Sequence, residues 1–123
     1  MSFDFWVQGD VAVLAPKGML LGGAETEDLR VKIRQLSEAG TQRLVIDLGQ
    51  LTYMSSPGIG LLMETYVSYS KRGAGIRLCR VDKRIKQLFA IVRLNLIFGD
   101  FDFPSVEDAI ASFTGTVAPR SEP

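Results

Sequence analysis

Between Leu44 and Leu62 the chain changes its hydrophobic period, and that change narrows the fold more than any other feature. Leu44, Val45, Ile46 and Leu48 form a nearly continuous apolar run, broken only by Asp47. A short run of this kind suits a strand covered on both faces, as in a parallel sheet. From Pro57 the spacing becomes helical, with Ile59, Leu62, Met63 and Tyr66 at i, i+3, i+4 and i+7. Lys71 and Arg72 bring positive charge to the last turn, and Gly73 ends it. Ser55, Ser56 and Pro57 stand at the junction between strand and helix.

The same alternation runs along the rest of the chain. Phe5 and Val7 alternate with polar residues, Gly9 and Asp10 make a turn, and Val11 to Ala15 follow up to Pro16, which reads as a hairpin. Gly18, Gly22 and Gly23 mark a loop. A first helix carries Glu25, Glu27 and Asp28 near its positive end, Leu29, Ile33 and Leu36 on its apolar face, and Gly40 beyond its end. Ile76 to Val81 is a further strand. Asp82 caps a helix with Ile85, Leu88, Phe89 and Val92 on one face, and Asn95 follows it as a left-handed C′ residue. Ile97, Phe98 and Phe101 suggest a last short strand. Ser105 and Asp108 approximate a capping box for a helix through Val106, Ala109, Ile110 and Phe113. The order ββαβαβαβα predicts an α/β domain over residues 1–113, with a mixed, mostly parallel sheet flanked by helices. A tail from Thr114 to Pro123 is expected to be disordered.

Composition removes many functions. The chain has 123 residues, no histidine and one cysteine, Cys79. Without histidine there is no Ser-His-Asp triad and no His-based metal site, and one thiol cannot build a thiolate cage. Met54 stands where a nucleophile elbow needs glycine, and the glycines Gly73 and Gly75 lack the third that a dinucleotide fingerprint requires. The expectation is therefore a non-enzymatic protein with no cofactor. Fourteen basic residues balance 14 acidic ones, which argues against direct nucleic-acid binding. Arg77, Arg80, Lys83, Arg84, Lys86 and Arg93 make the middle of the chain locally basic; they read as a solvated face, or as a contact for an acidic partner or a nucleotide phosphate. With no signal peptide, no membrane-length apolar run and an unpaired Cys79, a cytoplasmic protein is expected. Asp47 reads as a hydrogen-bond acceptor for the loop that follows it, and Cys79 as a small buried strand residue. Trp6, beside Phe3 and Phe5, reads as hairpin packing or, if exposed, as the surface of a homodimer or a partner contact.

The serine junction has three readings. Ser56 before Pro57 has the form of an N-cap, its hydroxyl accepting from the N–H of Gly58 or Ile59. The same helix end can seat a phosphate. It can also face a partner, with Gly58 and Gly60 permitting close backbone approach.

The strand Val45 to Leu48, the loop Tyr53 to Leu62, the strand Gly75 to Val81 and the segment Ile85 to Phe98 together resemble the STAS domain, and more narrowly the bacterial single-domain anti-sigma-factor antagonists. The resemblance spans about residues 4–113 in element order and apolar pattern. It implies binding to an anti-sigma factor, a histidine-kinase-like ATPase that is also a serine kinase, through Ser55, Ser56, Pro57, Gly58 and Gly60. It further implies release when the kinase phosphorylates the serine at position 56. Two positions depart from the family loop: Ser55 replaces its aspartate, and Pro57 replaces its second serine. The alternatives are a non-switching STAS scaffold subunit and a small-ligand or nucleotide sensor.

Overall fold

A computed structural model describes residues 3–91 and 103–114. Strands β1 (Phe3–Gln8) and β2 (Val11–Pro16) form the expected antiparallel hairpin, turning at Gly9 with φ of 63°. β4 (Arg43–Asp47) pairs in parallel with β2 on one side and with β6 (Gly75–Cys79) on the other, so the sheet order is β1-β2-β4-β6. Two further strands, β3 (Gly18–Leu20) and β5 (Leu51–Met54), make a separate parallel ribbon where the sequence suggested only a loop and a link. Both are too short to show a period, and each is defined by the other. Helices α1 (Ala24–Glu38), α2 (Ser56–Lys71), α3 (Lys83–Ile91) and α4 (Val106–Ser112) complete the described elements.

The apolar run in β4 has the anticipated cause. Leu44 and Ile46 join a core with Leu29 and Ile33 of α1, Ile59, Leu61 and Leu62 of α2, and Ile85 and Phe89 of α3. Val45 faces the other way, into a second cluster with Val13, Cys79, Phe103, Val106 and Ala109 beneath α4. Each such buried aliphatic side chain contributes roughly 1.5–3 kcal/mol by leaving water.

The apolar face of α2 differs from the expected one. Its buried residues are Gly58, Ile59, Leu61, Leu62, Thr65 and Tyr69, whereas Met63 is exposed and Tyr66 only half-buried. Two polar groups enter this core because each finds an acceptor. The Thr65 hydroxyl donates to the Leu61 carbonyl at 2.8 Å, and the Tyr69 hydroxyl donates to the Ile33 carbonyl of α1 at 3.1 Å.

The caps behave as expected. Asp82 accepts from the Ile85 N–H at 2.9 Å, and the Ser105 hydroxyl accepts from the Asp108 N–H at 3.1 Å. Gly40 and Gly73 follow α1 and α2 with φ of 90° and 76°. Cys79 is fully buried, and burial pushes its thiol up to about 12. Val92, Arg93, Asn95, the strand expected around Ile97 to Phe101, and positions 115–123 lie outside the described residues. Thr114, expected to begin the tail, still bonds back to Ala111. Among the described residues no helix is long and apolar enough to cross a membrane.

At the end of β4 the chain is clipped to β6. The buried Asp47 carboxylate accepts from the Gly49 N–H at 2.9 Å, as the sequence suggested, and also takes both Nε and Nη2 of Arg80 at 2.9 Å. Arg80 is thus committed to an ion pair and does not belong to a wholly solvated basic face. It sits in the left-handed region with φ of 54°, uncommon for a residue with a side chain. A Cβ at Gly49 would lie 2.5 Å from the Arg80 guanidinium carbon, so the glycine leaves room for the clip. Replacing Asp47 by Ala strands the Gly49 N–H and frees Arg80. The expected loss is about 2–3 kcal/mol of stability in urea unfolding at neutral pH; a change under about 0.5 kcal/mol would show that the clip is incidental.

Candidate functional site

The ribbon of β3 and β5 ends at the pair Leu20 and Met54, and α2 begins two residues later. Both donors of Ser55 turn back onto the last carbonyl of β3. Its N–H reaches the Leu20 oxygen at 2.9 Å and its hydroxyl reaches the same oxygen at 3.1 Å. This changes the expected helix start. Ser55, extended at φ −88° and ψ 176°, occupies the N-cap position, but its side chain caps nothing. Ser56 is the first helical residue and Pro57 the second, and the first helical bond runs from the Ile59 N–H to the Ser55 carbonyl at 2.9 Å. The expected cap from Ser56 fails because the ribbon, invisible in the sequence, supplies an acceptor that fixes Ser55.

Ser56 is consequently exposed, and among the described residues its hydroxyl has no hydrogen-bond partner. It stands at the positive end of a 16-residue helix whose first turn holds no acidic residue. The turn before a second helix lies against the neighbouring Pro57. Gly22 adopts φ of 94°, and a Cβ there would come within 2.7 Å of Pro57 Cβ. The following residue, Gly23, is the N-cap of α1 and likewise offers no side-chain cap. The Gly22 N–H donates to the buried Thr26 hydroxyl at 2.9 Å, holding this turn against the helix. Gly22 and Gly23 read only as loop markers in the sequence; the closeness of Gly22 to Pro57 depends on the ribbon.

The two glycines of the loop separate. Gly58 is buried, with a hypothetical Cβ 2.9 Å from the Leu20 carbonyl oxygen and 2.8 Å from Met54 Cγ, so it faces the protein's own ribbon. Gly60 is half-exposed with open space where a Cβ would stand. It begins an open, shallow surface along the outer face of α2, formed by Met63, Glu64, Val67, Ser68 and Lys71. Arg30 joins Glu27 to Glu64 and so ties α1 to the edge of this surface. On the other flank, the ribbon exposes Met19 and Tyr53, paired across the strands, and Leu21 is exposed just beyond it. The free hydroxyl of Ser56 therefore has exposed apolar side chains on both adjoining elements, an arrangement suited to protein contact.

The STAS domain matches residues 3–109, and the chain belongs to that family. BtrV of Bordetella bronchiseptica, a candidate anti-sigma factor antagonist, is 28% identical over 101 residues, which cover 82% of this chain and 84% of BtrV. A solved candidate anti-sigma factor antagonist from Thermotoga maritima has a TM-score of 0.80 at 15% identity, covering 89% of this chain and 92% of its own. The Bacillus cell fate determinant SpoIIAA in its phosphorylated form has a TM-score of 0.71 at 18% identity, covering 91% of this chain and 98% of its own. At these identities the two structures establish a shared fold.

The geometry separates the glycines energetically. Gly58→Ala is expected to cost about 2 kcal/mol, because the Leu20 carbonyl is backbone and cannot swing aside. Gly60→Ala is expected to gain about 0.5–1 kcal/mol by stiffening the helix. Thermal and urea unfolding of both variants check this; equal effects would show that the two positions share one environment.

Proposed function

We propose that this chain is a non-enzymatic regulator that binds an anti-sigma factor through the Ser55–Gly60 loop and the outer face of α2, and that phosphorylation of Ser56 ends the binding. The observation that carries this reading is the contrast between the two serines. Ser55 spends both its donors on Leu20, whereas Ser56 is exposed and unbonded at the helix start. Membership of the STAS family and the likeness to BtrV support the antagonist role. The solved forms of SpoIIAA, an anti-sigma factor antagonist, include an unphosphorylated and a phosphorylated one.

The partner is a histidine-kinase-like ATPase acting as serine kinase. It passes the γ-phosphoryl group of ATP to Ser56 Oγ: the new O–P bond replaces the bond to ADP, and the hydroxyl proton leaves to a base on the kinase. The product adds about −1.5 to −2 charges at a helix N-terminus. Such a charge gains roughly 0.3–1 kcal/mol there, so the antagonist stays folded. Docking would then have to strip water from a phosphate set beside Met63, Val67, Met19 and Tyr53, which opposes the complex. Activity of this kind belongs in the cytoplasm, where ATP is available.

Intact-mass measurement after incubation with ATP and the anti-sigma factor of the same cell should show one added phosphate on the wild type and none on Ser56→Ala. In calorimetry or pull-down, Ser56→Ala should bind as the wild type does, and Ser56→Asp about tenfold or more weakly. Equal binding by Ser56→Asp would leave a STAS scaffold that associates without switching.

A further inference from the structure

We propose that β1 pairs with β1 of a second copy, antiparallel about a two-fold axis at Trp6, so that two four-stranded sheets join into one. This inference is independent of the Ser56 reading. β1 is the outer strand of the order β1-β2-β4-β6, and among the described residues it pairs with β2 alone. The opposite edge is already engaged, since Cys79 of β6 bridges to Phe103 and the Arg80 N–H donates to the Phe103 carbonyl at 2.9 Å.

Exposed sheet edges are usually blunted by proline, lysine or a bulge. β1 reads Phe-Asp-Phe-Trp-Val-Gln, contains none of these residues, and keeps an unbroken register of six pairs with β2. Its one charge, Asp4, is met at 3.1 Å by Lys17 of the same chain. Trp6 and Val7 are 36% and 59% exposed, a large apolar surface for an edge strand.

The strand is its own complement. A two-fold perpendicular to the sheet must oppose residues of the same face, because side chains alternate along a strand. An axis at Trp6 uses every residue from Asp4 to Gln8. It sets Trp6 against Trp6, Phe5 against Val7 of the second copy, and Asp4 against Gln8 of the second copy. Aromatic–aliphatic pairs of this kind are favourable across strands, and no like charges meet. Within one chain the Trp6 indole N–H donates to Gln8 Oε1 at 3.0 Å, which leaves the Gln8 amide nitrogen as a donor for the opposing Asp4 carboxylate. An axis at Phe5 would instead place Asp4 against Trp6 and leave Gln8 unpaired. The chain's formal net charge of zero puts no overall repulsion between copies. One strand pair is a small interface, so the dimer is reversible and concentration-dependent.

Sedimentation velocity of the full chain should show the mass doubling between about 10 µM and 1 mM, the range of weak interfaces. Val7→Lys, a change at an exposed position, should remain monomeric throughout, while Ser56→Asp should dimerise like the wild type. Trp6→Cys should form a disulfide-linked dimer under mild oxidation, because the axis brings that position onto itself. Val7→Cys should not, because Val7 faces Phe5 and lies beyond disulfide reach of its own copy. Cys79, fully buried, should not interfere. A wild type that stays monomeric to about 1 mM would overturn the proposal, whatever other strand this edge then captures. So would a Val7→Lys chain that dimerises unchanged, or a Val7→Cys chain that cross-links as readily as Trp6→Cys.

Discussion

The Leu20 carbonyl accepts both the backbone N–H and the hydroxyl of Ser55, and this pair of bonds sets the rotational phase of α2. Successive residues on a helix are about 100° apart. Were the helix to begin one residue later, Ser56 would take the inward position and its hydroxyl would be the one consumed. With Ser55 fixed, Gly58, Ile59 and Leu62 turn toward the ribbon and core, while Ser56, Gly60, Met63 and Val67 turn outward. The chemistry available to the loop thus depends on a contact between residues 35 positions apart.

That contact requires the ribbon to be rigid, and the rigidity starts in the main sheet. β4 is buried on both faces, so its end is fixed relative to β2 and β6. The Asp47–Arg80 clip then holds the turn that leads into β5. Arg80 carries the strain of a left-handed backbone, offset by two charge-assisted bonds to a carboxylate shielded from water. Because the guanidinium itself is partly exposed, the Coulombic share of this pair is screened, and the anchoring lies mainly in the hydrogen bonds of the buried Asp47.

What could be read from the sequence was local or strongly periodic. The hairpin, the doubly covered β4, the caps at Asp82 and Ser105 and the burial of Cys79 all follow from residues within a few positions of one another. What escaped was set by distant partners. β3 and β5 exist through their pairing, three and four residues long. Thr65 and Tyr69 join the core because acceptors lie within reach, so a count of apolar letters assigned Met63 to the wrong face. The cap read at Ser56 falls instead on Ser55, and there the hydroxyl donates to the Leu20 carbonyl rather than accepting from the helix.

Serine at position 55, where the resemblance implies an aspartate, fits the polarity of the Leu20 contact. A carboxylate at position 55 could not donate to Leu20; two acceptors would face each other, and the ionised group would have to turn toward the α2 N-terminus. Serine reverses the polarity of the contact and leaves the loop without a charge of its own, as does the first turn of α2. A phosphate on Ser56 would then enter a positive helix end uncompensated by any neighbouring acid on that turn. The whole difference between the two states would be the phosphate charge itself, about −1.5 to −2. Pro57 removes one N–H from the first turn and packs against Gly22. With serine at 55 and proline at 57 the loop is neutral and stiff, and Ser56 is its exposed hydroxyl.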